Sequence, residues 1–312
     1  MSVVDETAGV PVARAVARRG PSLKRLGDMW WRHLVGIIAS VIALFPVAYI
    51  LSAAFNGDST LSSASIIPRS LTLDNFRTLF SSSVSLKHFQ TAADYPYWYM
   101  NTVLVSAATA LLTVVLGALA AYAFSRFRFK GRRLGMLSLL LIQMFPQLLA
   151  VVAIYLIVHS VGSIFHVIGL NTITALIVVY LGGIMGVNTW LLKGFFDTIP
   201  AELDESARVD GATPGQVFWG VVFPLAAPVL AVIAMLSFIG TLNEFAIANV
   251  LLQTSKHQTL AVGLYNFING QYAQFWGPFA AGVLLAAIPV VILFLSLQKF
   301  IVQGLTQGAV KG

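Results

Sequence analysis

The sequence contains no cysteine, which excludes disulfides, thiol catalysis and thiolate metal sites. Charge is scarce as well. Asp, Glu, Lys and Arg make up 10% of the 312 residues, where a soluble domain carries about 25%. A chain that is 58% hydrophobic, with a mean hydropathy of +0.84, has too little polar surface to cover itself in water. Composition alone therefore points to a membrane protein. No G-x-x-x-x-G-K-[ST] stretch occurs, so the chain has no phosphate-cradling loop of its own. The five histidines, His33, His88, His159, His166 and His257, stand at no metal-ligand spacing, and no catalytic set is visible. The net charge is +7. In a membrane chain such a balance reflects the retention of Lys and Arg on the cytoplasmic side, not an affinity for nucleic acid.

What the sequence does have is long apolar runs. Residues 1–33 are polar and basic and read as a cytoplasmic surface tail leading to an interface anchor at Trp30-Trp31. A run of spanning length then begins near Leu34. It exceeds the apolar core of a secretory signal, which favours a retained span over a cleaved leader. Five more runs lie near 101–124, 134–158, 172–192, 224–247 and 277–301. The expected fold is an all-α membrane protein with six transmembrane helices over 34–301 and a short tail at 302–312. Pro46, Pro146, Pro228 and Pro289 fall inside these runs, where neighbouring helices make proline tolerable.

The basic residues orient the spans. With both termini cytoplasmic, fifteen of the nineteen Lys and Arg fall inside; only Arg69, Arg77, Lys87 and Lys256 fall outside.

The connection 193–223 carries the densest local signals. Pro200 suits the first turn of a helix. Glu202, Asp204 and Glu205 follow, near the positive end of that helix's dipole. Gly211 is placed to end the helix in a left-handed conformation. Thr213, Pro214 and Gln216 form a capping-box pattern for a second helix. The loop holds five of the twelve acids: Asp197, Glu202, Asp204, Glu205 and Asp210. On physical grounds alone it is either a solvated helical hairpin or a docking element.

Glu244, in Thr241-Leu-Asn-Glu-Phe245, is the one acid near the interior of a run. A charge at mid-bilayer costs about 2.5–3.5 kcal/mol on insertion scales. Asn243 and Glu244 therefore either meet a hydroxyl of a bound solute or serve a helix–helix hydrogen bond or an external end already in water. Tyr265, Phe267, Tyr272 and Trp276 are suited equally to stacking on the rings of a bound solute and to an interface belt.

The stretch Glu205-Ser206-Ala207-Arg-Val-Asp210-Gly211-Ala212, running on to Phe223-Pro224-Leu225, resembles the E-A-A…G loop of ABC importer permeases. Ser206 stands where that family usually has Ala. Trp98-Tyr-Met-Asn101-Thr102, Ala121-Tyr-Ala-Phe-Ser-Arg-Phe-Arg128, Gln143-Met-Phe-Pro146, Gly169-Leu-Asn-Thr172, Tyr180-Leu-Gly-Gly183 and Thr259-Leu-Ala-Val-Gly263 are similar to its carbohydrate branch. So is the terminal Gly304–Gly312. The likeness is to the second permease subunit of maltose/maltodextrin importers and covers residues 34–312.

The resemblance implies a type I importer permease fold in a bacterial cell membrane, a non-catalytic pore subunit and no cofactor. It implies a different second permease, two copies of a separate ATPase and an extracytoplasmic solute-binding protein as partners. Glu205, Ser206, Ala207, Asp210, Gly211 and Ala212 would form the coupling helix that docks into the ATPase. Gly308, Lys311 and Gly312 would reach the ATPase dimer. Gln253, Thr254, Ser255, Lys256, His257 and Gln258 would form an external loop probing the binding protein's sugar site. Permeases for another oligosaccharide or a polyol fit the same motifs. A stand-alone secondary carrier fits less well, because such carriers bury coupling groups at the midplane and only Glu244 is available for that.

Overall fold

The computed structural model describes residues 23–57, 67–68, 70–81, 92–269 and 275–309; residues 23–29, 92, 147 and 301–309 are described by backbone only. The described residues form helices α1 (Leu23–Phe55), α2 (Asp74–Thr78), α3 (Tyr95–Arg126), α4 (Arg132–Gln143), α5 (Gln147–Ile164), α6 (Ile173–Phe196) and α7 (Ala201–Val209). Then follow α8 (Pro214–Val217), α9 (Phe223–Leu225), α10 (Ala227–Leu242), α11 (Ala246–Leu251), α12 (Leu260–Ile268) and α13 (Trp276–Ala309). By packing the chain divides into residues 1–48 and 49–312. In the first unit, helix α1 already begins at Leu23, inside the segment whose polarity suggests a tail. Its side chains from Trp30 to Ala48 are exposed, as suits an apolar helix whose solvent is lipid.

Four helical stretches are long and apolar enough to cross a bilayer: Trp30–Phe55, Tyr95–Arg126, Ile173–Phe196 and Trp276–Phe300. Two bent pairs bring the number to six when each pair counts as one span. These pairs fall on the apolar runs near 134–158 and 224–247, which the structure bends sharply. In the first, Arg132–Gln143 and Leu148–Ile164 meet at 106°. Pro146 has no N–H to continue the ladder and sits extended as the N-cap of α5, while Gln143 donates Nε2–H to the Gly183 carbonyl of α6 at 2.6 Å. In the second, Pro214–Leu225 and Ala227–Leu242 meet at 78°. Pro228 lies in the first turn of α10, where a missing N–H costs nothing. Of the four prolines in the apolar runs, Pro46 and Pro289 stand in helix interiors.

Helices α3 and α6 pack along much of their length, and α10 lies against both. At one end Tyr95, Trp98, Leu264 and Phe267 pack with Ala53, Ala54 and Ala280. A second cluster joins Val105, Leu176 and Tyr180 to Ile247, Leu251 and Val262. At the other end Tyr122, Leu192, Phe196, Phe218, Val222 and Leu230 form a third cluster beneath α7. This last end also carries Arg126, Arg128, Lys130, Arg132, Arg133 and Lys193, and is called the basic end below.

Candidate functional site

At the basic end the chain leaves α6, turns at Pro200 and forms α7. Pro200 is the N-cap of α7, one position before its first turn. Glu202 and Asp204 occupy the first turn and Arg208 the last, so both signs complement the helix dipole. The helix stops as its glycine requires. Gly211 has φ +88°, its N–H donates to the Arg208 carbonyl at 3.0 Å, and Ala212 N–H donates to the Ala207 carbonyl at 3.0 Å. This pair of bonds is the Schellman motif, which needs a left-handed residue at this position. Thr213 then opens α8 with a complete capping box: Gln216 N–H donates to Thr213 Oγ1 and Thr213 N–H donates to Gln216 Oε1. Phe218–Val222 continue as a π turn.

This construction sorts the motif residues onto two faces. Glu205, Ser206, Asp210 and Gly211 are exposed, together with Glu202 and Leu203. Val209 is 88% exposed, an unusual position for a β-branched apolar side chain in a formed helix. Ala207 and Ala212 instead pack against the chain's own core cluster. The outer face is thus an acidic rim around two uncovered apolar side chains.

The contacts that hold α7 in place are not among those the sequence motifs foretell. Asp204 is buried, and its Oδ2 lies 2.9 Å from Nε of Arg126 at the end of α3; the two side chains are 5% and 11% exposed. The same guanidinium donates from Nη2 to the Ile199 carbonyl at 2.9 Å. The neighbouring Ser125 donates Oγ–H to Asp197 Oδ1 at 2.7 Å, and Lys193 bonds Asp197 from the preceding helical turn. Burial pushes the Asp197 carboxyl up, but the hydrogen bonds from Lys193 and Ser125, with the charges of Lys193 and Arg132, outweigh it and hold it below the usual range. Two adjacent residues of α3 therefore grip the α6–α7 turn from both sides. The stretch Ala121–Arg128 does contain a signal for this, as an Arg at the very end of an apolar run facing a loop rich in acids.

At the opposite end, the loop 252–259 is strapped down by residues of the other motifs. Trp98 Nε1–H donates to the Ser255 carbonyl at 2.7 Å. Asn101 Nδ2 donates to the carbonyls of Lys256 and Gln258 at 2.8 and 3.0 Å. Thr102 Oγ1 accepts from Leu260 N–H at 2.6 Å. Ser255 Oγ–H donates to Asp94 at 2.5 Å. Asn171, itself at φ +63°, exchanges bonds with Thr254 through both its amide atoms. Gln253, Thr254, Lys256 and His257 remain exposed at the tip, whereas Gln258 is buried. Lys256 Nζ stands over the Tyr97 ring at 5.4 Å.

Glu244 does not share this surface. It accepts from the Tyr180 hydroxyl at 2.5 Å and from the backbone N–H groups of Ile247 and Ala248 at 2.8 and 3.1 Å, tying α6 to the start of α11. Asn243 beside it is exposed. Phe267 is buried against Trp98 and Tyr265 lies against Phe245; Tyr272 lies outside the described residues. Gly308 is described only as backbone of α13, and Lys311 and Gly312 lie outside the described residues.

Residues 113–307 match the family described as "Binding-protein-dependent transport system inner membrane component". The chain is 38% identical over 290 residues to the galactooligosaccharides transport system permease protein GanQ of Bacillus subtilis, covering 93% of this chain and 98% of that one. It is 38% identical over 297 residues to the maltose/maltodextrin transport system permease protein MalG of Vibrio vulnificus, covering 94% and 99%. With MalG of Escherichia coli it shares 37% identity over 283 residues, covering 90% and 95%. A crystal structure of a bacterial ABC transporter involved in alginate import contains a chain of the same fold, with TM-score 0.70 and 23% identity over 91% of this chain and 99% of that chain. On these matches, and with a helical core of up to six spans, the chain belongs to the family of binding-protein-dependent transport system inner membrane components.

Proposed function

We infer that this chain is one of two different translocation subunits of an ATP-driven, binding-protein-dependent sugar importer for maltodextrin-type oligosaccharides. ATP is hydrolysed by a separate ATPase, present in two copies, and an extracytoplasmic binding protein delivers the sugar. The observation that carries this reading is the α7–glycine–α8 unit, whose outer face is acidic, partly apolar and uncovered while Asp204 on its inner face pairs with Arg126 of α3 and the turn leading into it is bonded to Ser125 and Arg126. A free helical hairpin would have no need of buried ionic anchorage. Glu205, Ser206, Asp210 and Gly211 form the ATPase-facing surface; Ala207 and Ala212 support it from within. The tail Gly308, Lys311 and Gly312 extends this contact. At the other end, Gln253–Gln258 form a rigid projection toward the binding protein, with Asn243 on the sugar path and Glu244 shaping it.

The test is ATP-dependent uptake by proteoliposomes holding the chain, its partner permease and the ATPase, supplied with the binding protein and a panel of labelled sugars: maltose, maltotriose, a galactooligosaccharide and an acidic oligosaccharide. Preferential uptake of the maltodextrins supports the reading. Preferential uptake of another member reassigns the sugar, and uptake without ATP or binding protein contradicts the importer assignment.

A further inference from the structure

The geometry points to a binding site for the headgroup of an anionic phospholipid at the basic end, in the cavity between the start of α4 and the last turns of α6. The cavity measures about 940 Å³, near the upper end of the range for small-molecule sites. Leu134, Met136 and Trp190 supply apolar walls, Arg132, Arg133 and Lys193 supply cations, and Asp197 supplies one carboxylate. Leu134 is 72% and Trp190 51% exposed, so the apolar wall opens outward from the helices. Both helices are apolar beyond these residues. In a bilayer the cavity lies where hydrocarbon gives way to headgroups.

The charges decide what fits. Lys193 is engaged by Asp197, whose other oxygen accepts from Ser125. That carboxylate is therefore already satisfied within the chain. Among the described residues neither Arg132 nor Arg133 takes part in an ion pair. They present two guanidinium groups, each able to grip a phosphate with a fork of N–H donors. Arg128 and Lys130 stand alongside in a shallower depression. A soluble anion would satisfy the arginines but leave the apolar wall wet. A phospholipid satisfies both, with its phosphate on Arg132 and Arg133 and its chains along Leu134 and Trp190. The basic end is the cytoplasmic one by the distribution of Lys and Arg, and the cytoplasmic leaflet is where anionic lipid attracts such clusters. The site is independent of which sugar is carried.

The experiment is native mass spectrometry of the full chain, with the subunits that co-purify with it, released from nanodiscs of phosphatidylcholine containing phosphatidylglycerol. The wild type retains phosphatidylglycerol in preference to phosphatidylcholine. Replacing both arginines (Arg132→Gln with Arg133→Gln) lowers that enrichment on the order of fivefold per cation removed. Gly194 lines the cavity, and a Cβ there meets nothing within 4 Å. Gly194→Phe therefore pushes a ring into the space beside Lys193 without altering charge and produces a comparable loss, which keeps the test valid if the arginine variant fails to assemble. Arg128→Gln with Lys130→Gln, outside the cavity, produces a smaller loss. Equal losses from the two cationic pairs, or full retention in Gly194→Phe, would show a diffuse surface attraction and overturn the site. Displacement of the lipid by millimolar inorganic phosphate would reassign the cavity to a soluble anion.

Discussion

At the scale of single residues, the Arg126–Asp204 pair shows how a polar contact inside an apolar cluster acts. Removing one partner of a buried ion pair leaves a charge uncompensated, at a cost of about 3–5 kcal/mol. Asp204→Ala is expected to lower the thermal midpoint of the purified complex and the amount of ATPase retained with it. Replacing both partners with apolar residues (Arg126→Met with Asp204→Leu) is expected to recover most of the stability, since a hydrophobic pair of similar volume is close to neutral. A thermal-shift double-mutant cycle checks this; strictly additive losses would show that the two side chains do not interact. Gly263 makes a second case. A Cβ there would lie 2.1 Å from the Trp98 ring, which is fully buried and holds the Ser255 carbonyl. Gly263→Ala is expected to expel the indole and loosen loop 252–259, read as faster amide hydrogen exchange across Gln253–Gln258 with no change near α7. Unchanged exchange in the loop would show that the strap does not depend on Trp98.

At the scale of elements, the helix–glycine–helix unit is legible in the sequence because each of its signals is local. The residue types at 200–216 state where a helix starts, where it must turn left-handed and where the next begins, and the observed φ of Gly211 and the capping box at Thr213 agree. The breaks in the apolar runs are not legible in the same way. A run such as 134–158 has spanning length whether or not it bends; Pro146 marks where it can break, but the Gln143 bond to the Gly183 carbonyl that accompanies the bend comes from another helix. Likewise Trp98, Asn101, Thr102 and Asn171 stand out in the sequence, but their shared role does not. Trp98–Thr102, Asn171 and loop 252–259 are distant in the chain and meet only once α3, α6 and α12 have packed. The same holds for Glu244, whose partner Tyr180 comes from α6.

At the scale of the whole molecule, the two ends of the helices carry opposite chemistry: cations and α7 at one, the strapped loop at the other. Under the orientation set by the Lys and Arg distribution, a reporter active only in the cytoplasm is expected to work when fused at Gly131 or Gly312 and to be silent near Ser82. Activity near Ser82 would invert the topology. In the coupling proposed above between the two ends, Gly211 is the most exposed point of failure. Leaving the right-handed region costs an ordinary residue about 1–2 kcal/mol, and for a β-branched residue φ > 0 is a genuine outlier. Gly211→Val is therefore expected to turn α7 away from its seat while the spans insert normally, and Gly211→Asn, which tolerates this conformation, to keep part of the function. The decisive measurement is ATP hydrolysis by the reconstituted complex with and without sugar-loaded binding protein. The account predicts strong stimulation in the wild type, partial stimulation in Gly211→Asn and none in Gly211→Val; stimulation of Gly211→Val equal to wild type would contradict it.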